Sequence, residues 1–176
     1  MLYTFTSLMS EESGVIDSQA FRKVMATWPT GVSIITCMTS EKKPVGILCN
    51  SLTSISLVRK LLLWTVDHNS GSYSHWVKAE SWAVHFLADD QQGLIERFAR
   101  KGVPDKFEGL EYTVSSFGTP EIDGTVGRLE CRTTDRFETF DHKIILGEVI
   151  AMSSSEKEPM IFAYSKFHQG PKRDTK

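Results

Sequence analysis

The sequence predicts a mainly β chain that closes, or nearly closes, into an antiparallel β-barrel with α insertions. Three observations carry this. Six β-branched or apolar runs, at residues 32–38, 45–49, 61–66, 82–87, 126–137 and 143–152, read as strands. Only short helical stretches interrupt them, with no regular β-α-β alternation of the kind a doubly wound parallel sheet needs. The 176 residues hold no internal repeat, low-complexity tract or Pro- or Gly-rich linker. Many strands in one short domain are best accommodated by a barrel, because closure removes exposed sheet edges.

Taken in order, residues 1–16 are rich in Ser and Glu with little periodicity and read as a flexible N-terminal arm. The folded domain is expected at 17–169, with 170–176 a polar flexible tail. Asp17 or Ser18 can cap a helix that carries Phe21, Val24 and Met25 on one face, and Pro29-Thr30-Gly31 turns the chain into the first strand. A second helix is expected from about Ser70, with Tyr73, Trp76 and Val77 on one stripe. A third is expected from Asp89 or Asp90, with Leu94, Ile95 and Phe98.

Composition narrows function by exclusion. With 40% hydrophobic and 24% charged residues, the chain can bury one core. Twenty Lys+Arg against 22 Asp+Glu leave a net charge of −2, too balanced to make nucleic acid or an anionic membrane the main partner. The longest apolar runs, such as 61–66, are too short to span a bilayer, and no basic region precedes an apolar block in residues 1–16. A soluble, cytoplasmic protein is expected. Cys37, Cys49 and Cys131 show no paired spacing and read as reduced thiols in the core.

Several segments could carry chemistry. Residues 50–56, Asn-Ser-Leu-Thr-Ser-Ile-Ser, place a dense set of hydrogen-bonding side chains directly after a buried strand. They can hold an anion or the polar edge of a heterocycle, or serve as an edge strand or turn that bonds its own backbone. Ser70 and Ser72 sit where a helix start would favour a phosphate, or would simply be capped. The block 98–107 combines Arg100, Lys101 and Lys106 with Phe98 and Phe107, residues able to meet a phosphate and a ring or to end a helix. Asp141-His142 falls in a hairpin turn. The five histidines show no helical metal pairing, and no Gly-x-Ser-x-Gly, Gly-x-Gly-x-x-Gly or phosphate-binding P-loop is present. No metal site is expected, and any nucleotide must bind by another route.

In order and spacing, these segments resemble the short-chain flavin reductase family, the small reductase components of two-component flavin-dependent monooxygenases. The resemblance runs from Phe21 to about Phe167. It begins with Phe21-Arg22-x-Val24-Met25, Pro29-Thr30-Gly31-Val32, Asn50-Ser51-x-Thr53-Ser54-x-Ser56-Leu57, Leu63-Trp64 and Ser70-x-Ser72. It continues through Ala83-Val84-His85, Gln91, Phe98-Ala99, Asp105-Lys106-Phe107, Gly118-Thr119-Pro120 and Leu129-Glu130-Cys131, and ends with Asp141-His142 and Leu146-Gly147-Glu148-Val149.

The resemblance implies an FMN-binding split β-barrel, a homodimer with FMN or FAD near the subunit interface, NADH or NADPH as hydride donor, and a partner monooxygenase that receives reduced flavin. It implies that Pro29, Thr30, Asn50, Ser51, Leu52 and Thr53 line the flavin ring and ribityl chain. Ser56, Ser70, Ser72, Lys101 and neighbouring basic residues would approach the phosphate, with Phe98, Ala99, Lys106 and Phe107 completing that side. His142 would orient the nicotinamide over the flavin. Two departures stand out: Val58-Arg59-Lys60 replaces the family's Pro-Pro, and Phe140 replaces the Gly of its Gly-Asp-His. They motivate two alternatives, a flavoprotein of the same fold that retains its flavin for other chemistry and a non-catalytic subunit.

Overall fold

A computed structural model describes residues 16–103 and 105–172. Apart from Ile16 and residues 170–172, the expected terminal arm and tail lie outside the described residues. In chain order the elements are α1 (Ser18–Met25), β1 (Thr30–Gly31), β2 (Ser33–Met38), β3 (Pro44–Cys49), β4 (Thr53–Ser56), β5 (Leu61–Asp67) and α2 (Tyr73–Trp76). They continue as β6 (Ser81–Phe86), α3 (Gln92–Ala99), β7 (Thr113–Val114), β8 (Pro120–Glu121), β9 (Gly127–Glu138), β10 (His142–Ser154), β11 (Met160–Ala163) and β12 (Lys166–Gln169).

The six expected strands form most of a seven-stranded antiparallel sheet in the order β3-β2-β6-β9-β10-β5-β4. β3 and β4 are its two edges. No ladder joins them; residues 50–52 connect them, and Ser51 crosses the seam by accepting the Thr65 N–H at 3.1 Å. This is how the barrel is split. A small sheet, β1-β11-β12, packs beside it, with Thr30 opposite Phe162 and Gly31 opposite Ile161.

Alternation along the strands sorts side chains to two cores. Inside the barrel, Leu62, Trp64, Val66, Trp82, Val84 and Ile145 meet Trp76 from α2. Trp64 stands edge-on to Trp76 at 5.2 Å and to Trp82 at 6.0 Å, an arrangement that aligns ring edges with ring faces. Gly147 makes room for this: a Cβ there would come within 2.6 Å of Trp82, at a register shift in the β9–β10 ladder. The second core, Val32, Ile34, Leu87, Ile95, Phe98, Phe107, Ile122 and Met160, fills the space between the sheet and α3.

The helices form with shifted starts. Asp17 caps α1 by accepting the Ala20 N–H at 2.9 Å. α2 begins at Tyr73 rather than near Ser70, and α3 at Gln92 rather than Asp89 or Asp90. The apolar face of α1 is uncovered within this chain, with Phe21, Val24, Met25 and the following Trp28 each at least half exposed. The three cysteines are free and buried, and desolvation pushes the thiols of Cys37 and Cys131 up to about 12. Among the described residues no helix is long and apolar enough to cross a membrane.

Candidate functional site

The C-terminal end of β5 is where the sequence-selected side chains meet. His142 opens β10 directly opposite Asp67, the last residue of β5. Ser51 holds Thr65, two residues back on the same strand, so Ser51 and His142 flank β5 within about 7 Å along its axis. Past Asp67 the chain turns sharply: Asn69 N–H donates to the Asp67 carboxylate at 2.7 Å and Ser70 N–H to the Asp67 carbonyl at 2.9 Å. That turn brings Ser70 and Ser72 to the same end, their hydroxyls 3.3 Å apart. The Asn69 amide holds the Asp67 carboxyl below the usual range, with smaller contributions from the charges of His142 and Lys101. Lys101 therefore lies in electrostatic reach of this end of β5, and it is exposed.

β1 and β2 enter from the other side. Ser33 pairs with Cys49 as the last rung of the β2–β3 ladder, so residues 29–32 and 50–52 leave the sheet side by side. Thr30 carries a buried hydroxyl with no hydrogen-bond partner among the described residues. A buried polar atom without a partner costs free energy on the order of 1 to 3 kcal/mol, and such an atom beside a cluster of donors fits a polar ligand that completes it. Asn50 is exposed at the same place.

Other sequence-selected groups are occupied. The Ser51 hydroxyl is engaged by Thr65 and lies 3.3 Å from Cys49 Sγ. Ser72 accepts the Trp76 indole N–H at 2.8 Å instead of capping α2. Leu52 packs on the barrel core. Phe98 and Phe107 are 1% and 4% exposed and meet edge to face at 5.3 Å, so their ring faces serve the second core. Phe98 fills the space that a side chain at Gly46 would take. Lys106 donates its ammonium to the Phe98 carbonyl at 2.6 Å, and partial burial lowers its pKa. Ala99 is exposed at the end of α3. Thr53 and Ser56 lie on the edge strand β4 opposite Leu63 and Leu61. Ser56 is thus about 20 Å along β5 from Asp67.

The hairpin that carries His142 is tightly built. Thr139 N–H donates to the His142 carbonyl at 2.9 Å, His142 N–H donates to the Thr139 hydroxyl at 3.1 Å, and His142 Nδ1 lies 2.8 Å from Asp141 Oδ1. A carboxylate only accepts, so Nδ1 carries the hydrogen and a neutral ring keeps its lone pair at Nε2. Phe140 is fully exposed and is not among the residues with positive φ, so replacing glycine here strains nothing and aims the ring at solvent.

Sequence reasoning missed four groups around this hairpin: His68, Tyr73, Glu138 and Lys143. The His68 amide donates to the Asp141 carbonyl at 3.0 Å, and Lys143 pairs with Glu138 at 2.5 Å. The available signal was two acid-histidine pairs, Asp67-His68 and Asp141-His142, each at the edge of a strand. Only the β5–β10 register sets them side by side.

A split barrel with a polar, partly unsatisfied cluster at one strand end offers a place for a polar ligand. The chain belongs to the family described as flavin reductase like domain, which it matches over residues 25–171. It is 34% identical over 151 residues to the FMN reductase (NADH) SmoA of Agrobacterium fabrum, covering 86% of this chain and 85% of that one. It is 32% identical over 162 residues to HsaB, the reductase subunit of a flavin-dependent monooxygenase of Rhodococcus jostii, covering 88% and 82%. The NADH:FAD oxidoreductase SgcE6 of Streptomyces globisporus, solved in complex with NAD and FAD fragments, superposes with a TM-score of 0.80 at 31% identity, covering 86% of this chain and 92% of that one.

Proposed function

We propose that this chain is an NAD(P)H-dependent flavin reductase that reduces FMN or FAD and supplies the reduced flavin to a partner flavin-dependent monooxygenase. The observation that carries the reading is the convergence of the unpartnered Thr30 hydroxyl, Asn50, Ser70, Lys101 and His142 around the end of β5 in a chain of this family. The flavin, when bound, supplies the redox chemistry by accepting a hydride equivalent from reduced nicotinamide.

The protein's part is binding and orientation. Thr30 and Asn50 offer hydrogen bonds to the flavin's polar edge, with Pro29, Ser51, Leu52 and Thr53 shaping the wall. Ser70 and Lys101 face the phosphate. Asp141 fixes the tautomer of His142, whose Nε2 then accepts a hydrogen bond from the carboxamide of the nicotinamide.

The homodimer belongs to the same proposal. It is supported by the uncovered face of α1, where Phe21, Val24, Met25 and Trp28 are 50–69% exposed, an apolar strip that a second copy would cover. A cytoplasmic location follows from the need for reduced nicotinamide nucleotide and accords with three unpaired, buried cysteines.

The deciding experiment follows reduced-nicotinamide absorbance with FMN, FAD or no added flavin. Oxidation that requires flavin is expected, and absence of oxidation under every combination would overturn the reading. Phe21→Asp is expected to shift the dimer toward monomer in light-scattering chromatography.

A further inference from the structure

Behind the turn that holds His142, side chains from β9, β10, α2 and the turn after β5 form a charged and aromatic plug at the mouth of the barrel. Lys143 pairs with Val66 and Glu138 across its two ladders, which puts it on the inward face, whereas His142 and Asp67 face outward. The Glu138 carboxylate bridges: Oε1 takes the Lys143 ammonium at 2.5 Å and Oε2 faces His68 Nε2 at 3.2 Å. That His68 nitrogen is buried and lies off the straight hydrogen-bond line, so the carboxylate is its nearest charge partner rather than an ideal acceptor. Tyr73, the first residue of α2, stands edge-on to the His68 ring at 5.2 Å, and the Lys143 ammonium lies 5.8 Å from its ring centre. Only 17% of the Lys143 side chain is exposed, so this cation is held rather than waving in solvent.

Resting on the reductase reading above, we propose that Glu138 is a positioning residue for the nicotinamide substrate, clamping the His142 hairpin to the segment that carries Ser70 and leads into α2. The geometry gives it that reach. Glu138 is the last residue of β9, one position before the turn, and it ties β10 through Lys143 to the 67–73 segment through His68. The backbone makes a parallel tie through the His68 amide and the Asp141 carbonyl. With the His142–Asp67 ladder pair it fixes the base of the hairpin, and the side-chain tie on the inward face adds a second hold on the 68–73 segment beyond the ladder. His142 and Ser70 belong to the two segments so joined, so the clamp sets the spacing between the group that orients nicotinamide and the group facing the flavin phosphate.

Glu138→Gln keeps the size of the side chain and removes the charge, and the residue's exposure of 62% makes a folding failure unexpected. Measured on the flavin-loaded protein, the variant should raise KM for reduced nicotinamide by about two- to five-fold, the range of an exposed charge network, with kcat and flavin affinity unchanged. Amide exchange at His68 and His142 should quicken together by a similar factor. An unchanged KM in active protein, or equal losses in kcat and flavin affinity, would overturn the positioning role. Should the unaltered protein oxidise no reduced nicotinamide at all, the reductase reading fails. The clamp is then judged by exchange alone: faster exchange at both amides sustains it and unchanged exchange ends it.

Discussion

The two faces of β5 behave as two different materials. Its inward residues Leu62, Trp64 and Val66 are 7%, 0% and 1% exposed and lock into a cluster of three tryptophans. Its outward residues Leu61, Leu63 and Thr65 are half-buried, and Asp67 is open. Strand alternation makes the contrast possible, because neighbouring side chains on one backbone face opposite environments. The close-packed inner face fixes the strand, and the strand then holds Ser51 on one flank and His142 on the other at a set spacing. Rigidity is stored on one side and used on the other.

Breaking the inner face should produce the largest effect. Trp64→Ala is expected to lower stability by about 3 to 5 kcal/mol in urea unfolding, since it opens a cavity between the Trp76 and Trp82 rings in the barrel core. Trp64→Phe should cost far less, because it also removes an indole N–H that is buried without an acceptor among the described residues. On the outer face, His142→Ala should cut turnover with reduced nicotinamide on the order of ten- to a hundred-fold while flavin affinity, read by fluorescence titration, stays within about two-fold. Loss of both together would make the residue part of the fold rather than of the site.

A third expectation concerns pH. His85 is fully buried, and desolvation, opposed by the Ile34 carbonyl, depresses its pKa from 6.5 to about 4. The unfolded chain therefore takes up this proton before the folded one does. The stability contribution is complete above pH 6.5 and is lost as pH falls toward 4, by about 2 kcal/mol between pH 7 and pH 5. Urea unfolding at the two pH values should show that loss in the natural chain, and His85→Leu should flatten it. The smallest effect is expected at Thr30. Thr30→Val should weaken flavin binding by about 1 kcal/mol, roughly five-fold, yet leave the flavin-free protein equally or more stable, because the hydroxyl has no hydrogen-bond partner to lose among the described residues.

Much of this was legible beforehand, for identifiable reasons. The six runs of β-branched and apolar residues became strands of the main sheet because each had an apolar face to bury. β4 was less legible: Thr53, Ser54 and Ile55 are all exposed, so no burial pattern marks the strand and only pairing with β5 makes it one. β11 and β12 were missed because they pair with each other and with a two-residue β1, contacts that no local period signals. At the site, the family motifs pointed to the right turns but not to the state of each side chain. Phe98, Phe107 and Lys106 match a ligand-binding block in sequence, whereas packing commits both rings to the core and the ammonium to a backbone carbonyl.

The sequence alone determined the mainly β class, the core-forming runs, the buried cysteines and the family, since these follow from side-chain chemistry and its order along the chain. The tertiary structure decided which hydroxyls are spent and which is left over, that Phe140 points to solvent, and that Glu138, His68, Tyr73 and Lys143 meet behind His142. Those facts depend on ladder register, where a shift of one residue turns every side chain to the opposite face, and register is fixed only when the strands are laid side by side.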